Sequence, residues 1–129
     1  MGLTANKPIS FIPTANAKAA RVFYEKTLGL HFESDDKFAL IFRVGRGKGT
    51  MLRIVRTPGF TPAPYTIFGW QVDDIQKAVT DLTAKKIEFL RFSFFKQDKL
   101  GIWKSPNGGR VAWFKDPDGN TLSLSQHPE

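Results

Sequence analysis

The side chains able to do chemistry are few and scattered. The chain has two histidines, His31 and His127, and no cysteine, which excludes disulfides, thiolate metal sites and a cysteine nucleophile. Neither histidine has a second coordinating residue at useful spacing, so each reads as a surface or partly packed side chain. Glu25, Glu33 and Glu88 fall at helix or strand positions that solvation explains. Asp98 and Lys99 put an acid beside a base, but no pattern marks them as catalytic. The stretch "WFKDPDGNTLSLSQ", Trp113 to Gln126, is more suggestive. After a turn of proline, Asx residues and glycine, Thr121, Ser123 and Ser125 alternate with Leu122 and Leu124. Period-2 geometry sends the leucines to a buried face and the hydroxyls to the other. A row of hydroxyls can orient a small ligand, or it can face plain solvent.

Charge adds a second feature. The net charge is +7, and between Asp36 and Asp73 there is no acidic residue, whereas Lys37, Arg43, Arg46, Lys48, Arg53 and Arg56 all fall there. Attraction of an anionic ligand and a solvated strand-and-loop face both account for that run. No helix-turn-helix pattern, zinc-finger spacing or RNA-binding aromatic signature accompanies it, so nucleic acid is not an expected partner. The glycines of "GRGKG" lack the spacing and the Lys-Ser/Thr end of a P-loop and read as a hairpin loop. No apolar run approaches the roughly 20 residues of a bilayer span. The first residues, "MGLTANKPISF", show no signal-peptide apolar region, which gives the expectation of a cytoplasmic protein.

The elements that must position these residues come in two sets. The 129 residues are 41% hydrophobic and include twelve phenylalanines, a composition that fits a single globular domain with a real core. Within it the chain divides near "RTPGFTPAPYT", where prolines and glycine oppose a continuous helix or central strand. The first module covers about residues 7–57. It reads as a strand "PISFIP", a helix "NAKAARVFYEKTLGL" with Asn16 as N-cap and Gly29 at its end, and strands "HFESD", "KFALIFRVG" and "TMLRIVRT". The second covers about residues 64–126. It reads as a strand "YTIFGWQV", a helix opened by Asp73-Asp74, and strands "EFLRFSF", "GRVAWFK" and "NTLSLS". A β-α-β-β-β unit therefore occurs twice.

Three stretches, "FYEKTLGL", "VDDIQKAVTDL" and "FKDPDGNTLSL", resemble in order and spacing the signature segments of the vicinal oxygen chelate superfamily. That family holds glyoxalase I, extradiol dioxygenases and the bleomycin- and fosfomycin-resistance proteins. The resemblance spans nearly the whole chain. It implies an α+β fold of two βαβββ modules forming a concave, partly open sheet with helices outside, usually assembled as a dimer. The family's enzymes hold a divalent metal on the concave face through His and Glu, where it acts as a Lewis acid. Carried over residue by residue, the His of the first strand falls on Ile9 and the His of the second module on Ile67. The final Glu falls on Ser123 and the remaining Glu, placed across a loop of variable length, on Arg53. Two aliphatic chains, a hydroxyl and a cation do not chelate a divalent ion. No metal and no other cofactor is therefore expected.

On this reading the concave face is a ligand pocket lined by Ile9 and Phe11, Arg53, Ile67 and Gln71, Trp113, Ser123 and Ser125. Arg53, if it points inward, favours an anionic group through a bidentate contact; pointing outward, it snorkels to solvent. Trp113 suits the pocket, a dimer interface or core packing equally. The aromatic stretch with Phe92, Phe94, Phe95 and Trp103 reads either as a lid or as packing at a dimer contact. The expected protein is a cytoplasmic homodimer that binds a small anionic or aromatic molecule without metal. Two alternatives stay open: a metal-dependent lyase or dioxygenase of the superfamily, and an enzyme that uses Arg53 as electrostatic stabiliser.

Overall fold

The computed structural model describes residues 2–128, which fall into two compact units, one ending at Thr61 and the next opening at Pro62. In the first unit β1 (Ile9–Thr14) leads into α1 (Ala17–Val22). The Asn16 carboxamide oxygen accepts the Ala19 N–H at 3.1 Å, satisfying one of the donors that a helix start leaves open. The apolar spacing predicts a helix running on to Leu30, and here the structure differs. After Val22 the chain widens into a π-helical turn, Phe23–Thr27, closed by the Leu28 N–H on the Phe23 carbonyl. That turn buries Phe23 and Tyr24 together, with rings edge-to-face at 5.2 Å.

Strands β2 (His31–Asp35), β3 (Ala39–Val44) and β4 (Thr50–Arg56) follow as an antiparallel run, with "GRGKG" closing the β3–β4 hairpin. β1 joins β4 in parallel, so the sheet order is β1-β4-β3-β2. Alternation then sorts the side chains. Ile12, Phe42, Leu52 and Ile54 are fully buried with Ala20 and Tyr24, and truncating Phe42 to Ala is expected to cost about 3–5 kcal/mol.

The second unit repeats the plan with β5 (Thr66–Gln71), α2 (Ile75–Ala84), β6 (Trp103–Lys104), β7 (Arg110–Lys115) and β8 (Thr121–Gln126), ordered β5-β8-β7-β6. Asp74 caps α2 by accepting the Lys77 N–H. The helix packs on β7 and β8, and Ile75, Val79, Ala112, Phe114, Leu122 and Leu124 are buried. Among the described residues, no helix is long and apolar enough to cross a membrane.

One expected strand is missing. "EFLRFSF" makes only an isolated bridge, Phe89 to Phe114, and the sheet's outer strand is the two-residue β6 instead. The reason is local. Side chains of the segment capture its own backbone: Gln97 Oε1 accepts the Phe92 N–H, and Gln97 Nε2 donates to the Leu90 and Gly101 carbonyls, each at 2.8 Å. Asp98 Oδ1 accepts the N–H groups of Leu100 and Ile102. Backbone groups satisfied this way do not need a strand partner.

Candidate functional site

The open face of the second sheet is built by β7 and β8. In their register Lys115 stands opposite Thr121, Trp113 opposite Ser123 and Val111 opposite Ser125, so these six share the face away from buried Ala112, Phe114, Leu122 and Leu124. The hydroxyl row is anchored by the turn before it. Asp116 Oδ1 accepts the N–H groups of Asp118 and Asn120 at 2.9 Å, and the Asn120 side chain donates to Asp116 Oδ2. Gly119 holds φ at +88°, and a Cβ there would lie 3.3 Å from Pro62.

Over this face lies a cleft of about 710 Å³, walled by Trp113, Lys115 and Thr121 from the sheet and by Arg91, Phe92 and Phe95 from the 89–102 segment. Tyr65 and Phe94, which also line it, are 66% and 75% exposed and stand at its mouth. The rings are ordered against each other. Phe95 stacks on Trp103 at 4.3 Å and on Trp113 at 5.4 Å, the latter tilted by only 6°. Phe92 meets Trp113 edge-on at 5.3 Å. Each such pair adds about 0.5–1.5 kcal/mol beyond burial, so the wall is preformed. Arg91 fixes it further, donating to the Asp98 and Lys99 carbonyls at 2.5 and 2.6 Å. Those acceptors are neutral, so the guanidinium keeps its charge at the cleft, and Lys115 adds a second cation.

Of the residues expected from sequence, Trp113 lines this cleft; Gln71, Ser123 and Ser125 do not. Ser123 instead packs on Gly69: a Cβ built there would collide with the Ser123 hydroxyl and lie 2.8 Å from its carbonyl oxygen. The Ser125 hydroxyl meets His127 Nε2 at 3.1 Å, and no carboxylate orients that imidazole among the described residues, so the pair lacks the third member of a nucleophilic triad. Ile67 sits where the β5–β8 register shifts: Thr66 faces Thr121 and Phe68 faces Leu122. Strict alternation across β5 is broken there, and Thr66, Gly69 and Gln71 share the open face in place of Ile67, Gly69 and Gln71. The aromatic stretch read from sequence as a lid or as packing at a dimer contact supplies Phe92, Phe94 and Phe95 to the cleft's lining, and Arg91 beside them is the lining cation that the sequence reading did not single out.

The remaining expected residues lie on the first unit. Phe11 stands beside Arg53 and Ile9 beside Met51 in the β1–β4 register, with Ile9 and Phe11 49% and 62% exposed. Arg53 is already engaged, its Nη2 donating to Asp36 at 3.0 Å. Next to it Arg56 binds Asp35 through both terminal nitrogens at 2.8 Å. That fork, with the Lys37 N–H, holds the Asp35 carboxyl down to about 2. Asp36 is also lowered, chiefly by the Ala39 N–H and, less strongly, by Arg53. Arg53 and Arg56 thus brace the β2–β3 turn, where Lys37 adopts φ +76°.

The donor set does not fit the metal that the fold family's enzymes carry. Ile9, Arg53, Ile67 and Ser123 offer one hydroxyl between them and a guanidinium bound to Asp36. No group of three His, Asp or Glu side chains among the described residues is placed to hold a metal ion.

Comparison with known proteins gives one consistent result. The family described as Glyoxalase/Bleomycin resistance protein/Dioxygenase superfamily matches residues 8–124, while no curated protein matches the chain. Among solved structures, a member of that superfamily from Sphaerobacter thermophilus is 25% identical with a TM-score of 0.75, covering 97% of this chain and 99% of that one. The bleomycin resistance determinant encoded on the transposon Tn5 is 21% identical, TM-score 0.74, covering 97% and 100%. An antibiotic binding protein from a Streptomyces species is 22% identical, TM-score 0.73, covering 99% and 100%. With two βαβββ units and a family match over nearly its full length, the chain belongs to the Glyoxalase/Bleomycin resistance protein/Dioxygenase superfamily.

Proposed function

We propose that this protein binds a small, planar, anionic organic molecule in the cleft of its second unit and needs no metal to do so. The observation that carries the reading is the preformed wall of Phe92, Phe95 and Trp113 beside two cations, Arg91 and Lys115. A flat ring gains stacking there without ordering the wall first. An acidic group gains a charge-assisted hydrogen bond from a guanidinium that meets only carbonyls. The volume of about 710 Å³ lies in the range usual for small-molecule sites. Two structural neighbours, a bleomycin resistance determinant and an antibiotic binding protein, support binding over turnover. In this reading the protein is a cytoplasmic homodimer, and the exposed Ile9 and Phe11 support self-association.

The test is a panel of planar aromatic carboxylates with neutral and cationic analogues of the same ring, followed by thermal shift and tryptophan fluorescence. The carboxylates are expected to bind saturably and to be recovered unchanged, from a protein that sediments as a dimer. Preference for the cationic analogues, conversion of a bound compound to product, or a monomer mass would each count against the corresponding part of the reading.

A further inference from the structure

The second unit has another concavity, on the side its helix occupies, and three cations converge on it. Lys104 of β6 stands opposite Arg110 of β7, and the neighbouring pair is Trp103 with Val111. Val111 shares the face of Trp113, so alternation turns Lys104 and Arg110 toward the α2 side. With Lys96 from the 89–102 segment and Gln76 from α2 they line a groove of about 320 Å³.

This arrangement runs against ordinary sheet chemistry, because like charges directly opposite on paired strands repel. Five cations of the protein, Arg21, Arg43, Arg53, Arg56 and Lys77, each meet a carboxylate within 3.3 Å. Lys96, Lys104 and Arg110 make no ion pair among the described residues. The acid that lines the groove is Asp98, whose Oδ1 accepts the Leu100 and Ile102 N–H groups at 2.9 Å; its charge offsets one of the three cations and leaves the lining net positive. Asp73 and Asp74, just ahead of α2, lie outside the lining, and Asp74 is engaged by the Lys77 N–H.

We propose that this groove is a binding site for a phosphate group, held by Lys96, Lys104 and Arg110. A tetrahedral dianion there turns the mutual repulsion of the three cations into three attractions, each a charge-assisted hydrogen bond. The guanidinium fork of Arg110 takes two of its oxygens, and the two ammonium groups close on the others as point charges. Nothing in this site depends on what the aromatic cleft holds.

Inorganic phosphate is the probe. The ¹⁵N-labelled protein is titrated with it at neutral pH, with sodium chloride adjusted to keep ionic strength constant. Saturable shifts are expected at the amides of Lys96, Lys104 and Arg110, and the dissociation constant should rise by about tenfold or more in the Lys104→Gln/Arg110→Gln double variant. Relief of repulsion predicts that this variant melts no lower than the parent in phosphate-free buffer. Lys18→Gln, at an exposed cation of the first unit, should bind phosphate as the parent does. A non-saturating response, shifts reproduced by chloride, an unchanged constant in the double variant, or an equal loss of phosphate binding in Lys18→Gln overturns the proposal.

Discussion

Trp113 is where sequence and structure meet most directly. Its place on the open face follows from alternation along "RVAWFK", and its register partner is Ser123 as that alternation requires. What alternation does not supply is its neighbours, since Phe92 and Phe95 reach it from a segment about twenty residues upstream. Trp113→Ala removes these two ring contacts, a third with Trp103, and one wall of the cleft. It is expected to weaken a planar aromatic carboxylate by about tenfold or more, in line with the loss of one or two stacking terms of about 0.5–1.5 kcal/mol each. Trp113→Phe, which keeps a ring, should recover most of that affinity by fluorescence-independent calorimetry. Lys115→Gln tests the charge separately: it should weaken the carboxylate and leave the neutral analogue unchanged. If both analogues weaken alike, Lys115 packs against the ligand and supplies no electrostatic selectivity.

At the level of elements the sequence was legible wherever a period held. Seven strands and both helices were expected in place, because binary alternation, N-caps at Asn16 and Asp74 and the "GRGKG" turn all point the same way. The segment 89–102 broke the rule, since "FLRFSFF" has strand composition while Gln97 and Asp98 take its backbone hydrogen bonds. Such local capture by side chains has no periodic signature. It does have a consequence: Gln97→Leu deletes three bonds at once and is expected to destabilise the segment by about 2–4 kcal/mol. Amide exchange at Phe92 should accelerate far more than exchange in β8, and ligand affinity should fall with it. Equal acceleration in both would mean that Gln97 supports the whole unit and not the wall alone. The β2–β3 turn carries a pH-dependent counterpart. Asp35 titrates near 3.8 when unfolded and at about 2 in the fold, so its stabilising effect is complete above the higher value and is lost as pH falls through the lower. Between those two values the melting temperature of the parent should drop more steeply than that of Asp35→Asn, which has no carboxyl to protonate there. Parallel slopes would show that the Arg56 fork contributes nothing to folding.

For the molecule as a whole, the resemblance to the superfamily's enzymes assigns four positions of this sequence to metal ligands, and the side chains at them decide what they can hold. Fold carries those positions without carrying the chemistry. A divalent ion bound through protein ligands needs deprotonated oxygen or nitrogen donors, and its affinity falls steeply as each is lost. Ile9 and Ile67 offer none, Ser123 offers a neutral hydroxyl packed on Gly69, and Arg53 brings a positive charge held by Asp36. A cation at that position also repels the ion that a carboxylate would attract. The protein purified without chelator is therefore expected to hold far less than one equivalent of nickel, zinc, iron or manganese by elemental analysis. Extended treatment with a chelator should leave both its melting temperature and its affinity for the aromatic carboxylate unchanged. Arg53→Glu gives the complementary measurement, because one added carboxylate among four positions of which two are aliphatic still leaves too few donors, so metal content should stay low. Stoichiometric metal in the parent, removed by chelation together with ligand binding, would place donors outside these four positions and return the protein to the chelate chemistry of its superfamily.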